Sequence, residues 1–343
     1  MSPLRSRYKP NSTISTMKSH NHFDERFGIK ELYRPADKDS EVDIVAVHGL
    51  NGDATMTWTA KESKICWLSH PDFLPKYVKN ARILVWGYNS SISSFTGAEP
   101  SKNRIHDHAQ TLIAELYADR ELEGRTDKPI IFLCHSLGGI VVKRALSYSM
   151  SRSSDKIAHY HTIFTCTYGI LFFGTPHNGS SQANLLLSLQ RLANLTIPRK
   201  VGQNESALVS ALREESETLQ NITDYFVPLM KNFSICFFWE QQKTDLKYKK
   251  EYIVEEASAA PVFDDTERAG IASDHSGMVK FEKNTSPGFR LVASILCRYC
   301  RNASPVVEKK WATTQRALLE RRQAEALEIL QYINLLPQTQ APS

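Results

Sequence analysis

The sequence predicts an α/β fold with a doubly wound, mostly parallel sheet. Apolar runs of about four to eight residues alternate with amphipathic segments, a pattern typical of βα units whose sheet is covered on both faces. The 343 residues are 41% hydrophobic and 23% charged, so the chain can bury a sizeable core. No internal repeat or low-complexity tract interrupts the alternation.

The predicted strands are β-branched or aromatic runs bounded by turn residues. The first, at 42–47, leads into the turn His48-Gly49-Leu50-Asn51-Gly52, and the others are predicted at 82–88, 130–134, 168–173, 233–239 and 251–254. Helices are predicted where apolar residues recur at helical spacing, namely at 67–79, at 104–121, after the strand at 130 and at 305–335.

The chain is expected to divide into a central domain and two terminal segments. Residues 1–40 are predicted to be a disordered or loosely attached tail, 41–303 the α/β domain, and 304–343 a C-terminal amphipathic helix and tail. Residues 178–230 are a helical insertion before the second-last strand, which either caps the sheet edge or covers the sheet. The C-terminal helix either packs on the domain or binds a protein partner.

Composition excludes several functions. A formal charge of +5 is too small a surplus to indicate nucleic acid, and no basic stripe is interleaved with aromatic residues. No Walker loop, dinucleotide fingerprint or H-E-x-x-H is present, and Cys297 and Cys300 lack a second Cys/His pair, so no cofactor or metal is expected. No run approaches the roughly 20 apolar residues of a membrane span, which leaves peripheral membrane contact open.

The cysteines and the first residues bear on location. Six scattered cysteines fit a reducing compartment, so an intracellular and preferentially cytoplasmic location is expected. Residues 1–23 have the basic, acid-free composition of a mitochondrial transit peptide, but Pro3 and Pro10 would break a long helix. A disordered tail is therefore favoured over a targeting segment.

A candidate nucleophile lies where a strand breaks sharply into a helix. The run Ile130 to Cys134 is followed by His135-Ser136-Leu137-Gly138-Gly139, after which apolar residues continue at helical spacing. A strand–turn–helix with serine at the turn exposes its hydroxyl at the carboxyl edge of a sheet. Cys134 occupies the first position of the G-x-S-x-G pattern and is small enough to serve there.

A serine nucleophile needs a base within hydrogen-bond reach. In doubly wound hydrolases the order along the chain is serine, acid, histidine. His275 is the only histidine after residue 177 and lies in a polar loop after the last strand, so it is the candidate base. His177 is the alternative, but it precedes the expected position of the acid. His48 is expected to hold its own loop by hydrogen bonds.

The acid is expected after the strand at 233–239. Glu240 ends this strand and is the candidate that orients the imidazole and stabilises its cation. Glu255, Glu256 and Asp274 are rivals, of which Asp274 adjoins the histidine and is too close to turn onto its ring. The expected oxyanion donors are the backbone N–H groups of Leu137 and Leu50, which follow the serine and the first strand.

Five segments in this order resemble the serine esterase/lipase branch of the α/β-hydrolases. They are V-A-V-H-G-L-N-G (45–52), L-V-W-G-Y (84–88), H-S-L-G-G-I-V-V-K-R-A-L (135–146), L-F-F-G-T-P-H-N-G (171–179) and D-H-S-G-M-V-K-F (274–281). The chain is similar, over about residues 40–300, to the serine-active-site-containing protein family and to domains that open NOD-like-receptor-type proteins in filamentous fungi.

The resemblance implies an α/β-hydrolase fold and an esterase- or lipase-like activity. Ser136 and His275 stand at the matching motif positions, whereas Cys134 replaces the usual glycine. In animal relatives the family is linked to phospholipid remodelling where mitochondria meet the endoplasmic reticulum, which implies an association with either organelle as an alternative location.

The predicted function is hydrolysis of carboxylic esters, with an acyl ester or lipid as substrate and an acyl-enzyme as intermediate. Transfer of the acyl group to an acceptor other than water is an alternative at the same site. A non-catalytic recognition or signalling module on the same fold is the alternative from another class, and the appended helix at 305–335 favours it.

Overall fold

The computed structural model carries a seven-stranded sheet with helices on both faces. It describes residues 26–36, 40–90, 104–152, 154, 156–177, 187–188, 190–192, 220–246 and 249–335. The strands are β1 (Gly28–Tyr33), β2 (Val42–Val47), β3 (Ala81–Gly87), β4 (Ile130–His135), β5 (Thr167–Phe173), β6 (Ser234–Glu240) and β9 (Thr266–Ile271). A separate two-stranded ribbon consists of β7 (Thr244–Asp245) and β8 (Lys250–Glu251).

The sheet order is β1-β3-β2-β4-β5-β6-β9. Only β1 runs antiparallel to its neighbour, and the other five pairings are parallel. Every residue of β2, β3, β4 and β5 is buried, as expected for central strands covered on both faces. The predicted fold class is confirmed.

Six α-helices with defined bounds accompany the strands within the described residues. They are α1 (Leu74–Tyr77), α2 (Arg104–Leu122), α3 (Leu137–Met150), α4 (His161–Cys166), α5 (Glu256–Ala259) and α6 (Pro287–Leu335). The prediction at 104–121 is confirmed by α2. The helix predicted at 67–79 is wrong except for the single turn of α1. Trp67, Leu68 and Phe73 are buried in an irregular segment rather than on one face of a helix.

Two elements of the fold bear on the predicted domain boundaries. Gly28–Tyr33 lies in the segment predicted as a loose tail, yet it forms the edge strand β1 on β3. The boundary at 303/304 falls inside α6, which continues through Pro305 without interruption. Ala303 and Val307, on either side of this proline, are both buried in the core, so packing holds the helix together there.

The last strand of the sheet is also not the one predicted. Ile253 and Val254 are fully buried, but they pack with Leu192 and Ala259 in a small cluster outside the sheet. The edge position belongs to β9. Most of the predicted insertion at 178–230 lies outside the described residues, and its described parts include helical residues at 190–192 and 220–226.

The described part of the chain has no helix long and apolar enough to cross a membrane.

The C-terminal half of α6 beyond Trp311 exposes several apolar side chains, namely Leu319, Leu327, Ile329 and Leu330. Whether this half binds a protein partner stays a prediction.

Candidate active site

Ser136 lies on a strained turn between β4 and α3. Its φ of 53° and ψ of −124° place a non-glycine residue in a region that L-amino acids rarely adopt. The Ser136 N–H donates a hydrogen bond of 2.9 Å to the Phe173 carbonyl at the end of β5. The backbone of the turn is therefore tied to the end of β5, and the serine side chain is left free of the sheet hydrogen bonds. The turn lies at the carboxyl edge of the parallel strands.

Two glycines after the serine allow this turn. A Cβ on Gly138 would lie 2.4 Å from the His48 carbonyl oxygen, and one on Gly139 would lie 2.2 Å from Oγ1 of Thr175. The Thr175 hydroxyl also donates to the Ser136 carbonyl at 3.0 Å. The loop after β5 thus braces the serine turn, and larger residues at 138 or 139 would push it apart.

His275 lies four residues after β9 and is buried. Its backbone N–H donates to the Thr244 hydroxyl at 3.4 Å, and its carbonyl accepts a 3.0 Å hydrogen bond from Nε2 of His135. Because a carbonyl only accepts, the proton of the His135 ring is on Nε2. Burial lowers the pKa of His135 to about 3, so this ring is neutral and holds the loop of the candidate base.

Glu240 is the last residue of β6 and is buried. Its Oε1 lies 3.7 Å from Nδ1 of His275 and accepts a 2.7 Å hydrogen bond from the Val254 N–H. The pairing of Glu240 with Ile271 in β9 brings the two loops together at the same edge. The carboxylate therefore lies behind the imidazole, on the side of Nδ1.

The three rival acids are engaged elsewhere. Glu255 and Glu256 are exposed, and they pair with Arg191 at 3.2 Å and Arg268 at 3.4 Å. Asp274 accepts a 2.7 Å hydrogen bond from the Gly277 N–H and so stabilises its own turn. Among the four carboxylates considered, Glu240 is the one whose ion-pair partner is the candidate base.

Ser136 and His275 line one cavity of about 320 Å³. Within the part of the chain that is described, neither the Ser136 Oγ nor either ring nitrogen of His275 has a hydrogen-bond partner, and the same is true of Glu240 Oε2. Buried polar atoms without partners are uncommon in proteins and are found at functional sites. Four of them here belong to the three residues predicted as nucleophile, base and acid.

The loop after β2 approaches the serine closely. A Cβ on Gly49 would lie 2.7 Å from the Ser136 Cβ, and the neighbouring Leu50 lines the cavity. Leu137 is the first residue of α3, where backbone N–H groups have no partner within the helix. The structure thus places both predicted oxyanion residues next to Ser136.

His48 has the structural role predicted for it. Its Nε2 accepts a hydrogen bond of 3.3 Å from the Tyr88 N–H, its Nδ1 donates to the Gly49 carbonyl at 3.0 Å, and the ring stacks on Tyr88 at 4.5 Å. Burial lowers the pKa of His48 to about 4, so the ring is neutral.

His177, the alternative base, does not line the cavity. Its ring packs edge-on against Phe172 and Phe237, with centroids at 4.8 and 4.6 Å. Burial lowers its pKa well below the ordinary value, which keeps the ring neutral. The structure brings His275, not His177, to the serine.

Sequence reasoning did not single out three residues that build the site. His135 positions the base loop, Thr175 braces the serine turn, and Lys280 lines the cavity. All three stand inside the motif segments around the serine, the loop after β5 and the histidine. Their presence in those segments was the available signal, but side-chain direction in a loop cannot be read from spacing.

Gly174→Ala is expected to lower kcat at least tenfold, because a Cβ on Gly174 would lie 2.9 Å from Cε1 of His275 and displace the ring. Gly124→Ala is the matched control. Both glycines have a positive φ, of 56° and 64°, but a Cβ on Gly124 meets nothing within 4 Å. Thermal unfolding of both variants, together with the rate of any reaction at Ser136 that uses His275 as base, would separate strain from imidazole displacement. Equal activity losses would contradict the expectation.

A doubly wound parallel sheet with a strained serine between a central strand and its helix defines the α/β-hydrolase fold. The described residues include no group of three or more His, Cys, Asp or Glu side chains that could hold a metal ion. The sheet and the serine turn define this class of protein.

No protein-family model matches the chain. The protein SERAC1 of mouse is 27% identical to it over 222 residues, and human SERAC1 is 26% identical over 220 residues. Each match covers 60% of this chain but 31% of the relative, so the chain spans about a third of the length of these proteins.

Solved structures with a similar arrangement of strands and helices include the following two proteins. A lipase-esterase related protein from Clostridium acetobutylicum has a TM-score of 0.41 and 10% identity, covering 79% of this chain and 98% of its own. A monoacylglycerol lipase from Paleococcus ferrophilus has a TM-score of 0.40 and 12% identity, with the same coverage. Similarity this low leaves the site geometry as the evidence on function.

Proposed function

We propose that the protein is a serine hydrolase that cleaves carboxylic esters. The observation that carries this proposal is the strained Ser136 in a cavity shared with His275, with the Glu240 carboxylate 3.7 Å behind the imidazole. A serine hydroxyl becomes a useful nucleophile only when a positioned base takes its proton. These three side chains supply a nucleophile, a base and a carboxylate that orients the base.

In the proposed reaction the Ser136 Oγ attacks the ester carbonyl and its proton passes to Nε2 of His275. The bond to the alcohol oxygen then breaks, the alcohol leaves with this proton, and Ser136 keeps the acyl group. Water, activated by the same imidazole, hydrolyses the acyl-enzyme. The N–H groups of Leu137 and Leu50 stabilise the oxyanion, and one such donor contributes about 3 to 4 kcal/mol.

A fluorophosphonate probe tests the proposal, because it reacts with activated serines. We expect the 343-residue chain to be labelled, and the label to be found on the peptide that contains Ser136. A well-folded protein that takes no label would instead support a non-catalytic module on this fold. Products formed in the presence of an added alcohol would distinguish acyl transfer from hydrolysis.

Glu240→Gln is expected to lower kcat by about 10² to 10⁴, because the amide no longer stabilises the imidazolium and favours the wrong tautomer. Glu256→Gln is the control, since that carboxylate is exposed and pairs with Arg268. The measurement is kcat for a 4-nitrophenyl ester, with circular dichroism as a check on folding. A folded Glu240→Gln variant with full activity would remove Glu240 from the proposed triad.

A further inference from the structure

A lysine shares the cavity with the candidate nucleophile and base. Lys280 follows His275 by five residues and is half-buried. Its Nζ donates a 2.8 Å hydrogen bond to the carbonyl oxygen of Met56. This partner is neutral, and an ammonium group can donate three hydrogen bonds, so the charge of Lys280 can act on a ligand in the cavity.

The carboxylate on the cavity wall is already engaged by the backbone. Oδ1 of Asp53 accepts hydrogen bonds of 2.9 Å from the N–H groups of both Thr55 and Met56. These bonds lower the pKa of Asp53 despite the opposing effect of its burial. Asp53 thus holds the turn that presents the Met56 carbonyl to Lys280.

A second turn brings two lysines, Lys61 and Lys64, near enough to Lys280 to act on its charge. The Glu282 carboxylate accepts hydrogen bonds from the N–H groups of Glu62 and Ser63, at 3.0 and 2.9 Å, and so fixes the turn between Lys61 and Lys64. Burial lowers the pKa of Lys280. The positive charges of Lys61 and Lys64 lower this pKa further, whereas the negative charge of Asp274 opposes them. An anion bound at Lys280 would relieve this repulsion between like charges.

Apolar side chains form part of the same cavity wall. Leu50, Met56 and Leu192 line the cavity together with Lys280. A ligand that fits has an apolar part for these side chains and an anionic group for the ammonium.

We propose that Lys280 determines substrate specificity by binding an anionic group, a carboxylate or a phosphate, of the ester whose carbonyl lies at Ser136. This inference rests on the proposed function, because it assigns a substrate class to the same site. The anionic group belongs either to the acyl part or to the alcohol part of the ester, and the two sources are distinguishable by experiment.

The test compares matched anionic and neutral esters as substrates of the whole 343-residue chain. For the acyl part, the pair is mono-4-nitrophenyl adipate and 4-nitrophenyl hexanoate. For the alcohol part, the pair is phosphatidic acid and diacylglycerol with the same acyl chains in detergent micelles. For each pair, the preference is the kcat/KM of the anionic ester divided by the kcat/KM of the neutral ester. In Lys280→Met we expect this ratio to fall about tenfold in one pair, mainly because the KM of the anionic ester rises.

Two further variants separate binding from a structural role. Lys280→Arg keeps the charge and is expected to keep the preference, whereas Lys283→Met removes an exposed lysine outside the cavity and is expected to change nothing. Loss of the Met56 hydrogen bond alone would slow both esters of a pair equally. Raising the salt concentration should reduce the wild-type preference.

The pair in which the ratio falls identifies which part of the ester carries the anion. The inference is overturned if neither ratio changes in Lys280→Met, or if Lys280→Arg loses the preference as completely as Lys280→Met does. Either outcome leaves ester hydrolysis by Ser136 in place. A wild-type protein that hydrolyses none of the four esters and takes no fluorophosphonate label overturns both the proposed function and this inference.

Discussion

Ser136→Ala is expected to lower kcat for ester hydrolysis by about 10⁴- to 10⁶-fold, because without Oγ no acyl-enzyme forms. The Nε2 of His275 and the oxyanion donors would remain, but they would have only water to activate. The residual rate is expected to exceed the uncatalysed rate by about 10³-fold, from the oxyanion donors and substrate binding. The fluorophosphonate label should disappear as well.

Ser276→Ala is the control for this prediction. Ser276 is a second serine in the lining of the same cavity, one residue after the base. A fluorophosphonate that reacts with Ser136 still labels this variant, whereas loss of label only in Ser276→Ala would move the nucleophile to residue 276. Peptide mapping of the labelled wild type gives an independent assignment.

Ser136→Gly guards against misfolding of the alanine variant. The φ of 53° at this position is strained for alanine as it is for serine, but glycine adopts it readily. We expect the glycine variant to be as inactive as the alanine variant and at least as resistant to thermal unfolding as the wild type. Such a result would show that Ser136 destabilises its own turn, as expected of a nucleophile held at a strained backbone position.

The strands that build the site were predictable because they are buried on both faces. In β2, β4 and β5 every residue is buried, and each reads in the sequence as a mostly apolar run, interrupted in β2 by Asp43. The end of β4 coincides with the break into polar and glycine residues at 135–139. Fold class and candidate nucleophile therefore came from the same feature.

The candidate base and acid were chosen from chain order rather than from local pattern. His275 was chosen as the remaining downstream histidine, and it does follow the last strand of the sheet, although that strand is β9 and not the segment at 251–254. Glu240 was chosen as the residue that ends β6. Its distance to His275 depends on the pairing of β6 with β9, which no local pattern reveals.

Elements at the edges of the sheet could not be predicted. β1 and β9 each pair with one neighbour, and most of their residues are half-buried or exposed. Such strands keep charged residues such as Glu267 and Arg268, and their sequences lack an apolar run. Ile253 and Val254 mislead in the opposite direction, since they are fully buried in a cluster outside the sheet.

Near the amino ends of the central strands β2 and β3, one buried carboxylate joins three arginines. Asp43 on β2 accepts hydrogen bonds from Nε of Arg82 at 2.9 Å and Nε of Arg125 at 3.0 Å, and from Nη1 of Arg120. Asp43, Arg82 and Arg120 are essentially inaccessible to solvent. Arg82 also contacts Asp119 at 2.6 Å, so the cluster ties β2, β3 and α2 together.

Burial by itself would raise the pKa of Asp43, but the charges of Arg120, Arg82 and Arg125 outweigh it and lower the pKa below the ordinary 3.8. A lowered pKa in the folded state means that the ionised carboxylate stabilises the fold above about pH 4. This contribution is lost as the pH falls through the folded-state pKa. The stabilisation by this cluster should therefore decline as the pH falls below about 4.

Asp43→Asn is expected to lower the free energy of unfolding by about 3 to 5 kcal/mol, because it leaves buried guanidinium groups without their shared carboxylate. Urea unfolding followed by circular dichroism at pH 7 measures this loss. Glu325→Gln breaks the exposed 2.7 Å pair with Arg321 and should cost less than about 1 kcal/mol. The difference between wild type and Asp43→Asn should shrink as the pH falls below 4. A loss at pH 7 no larger than that of the exposed pair would show that the three arginines do not depend on Asp43.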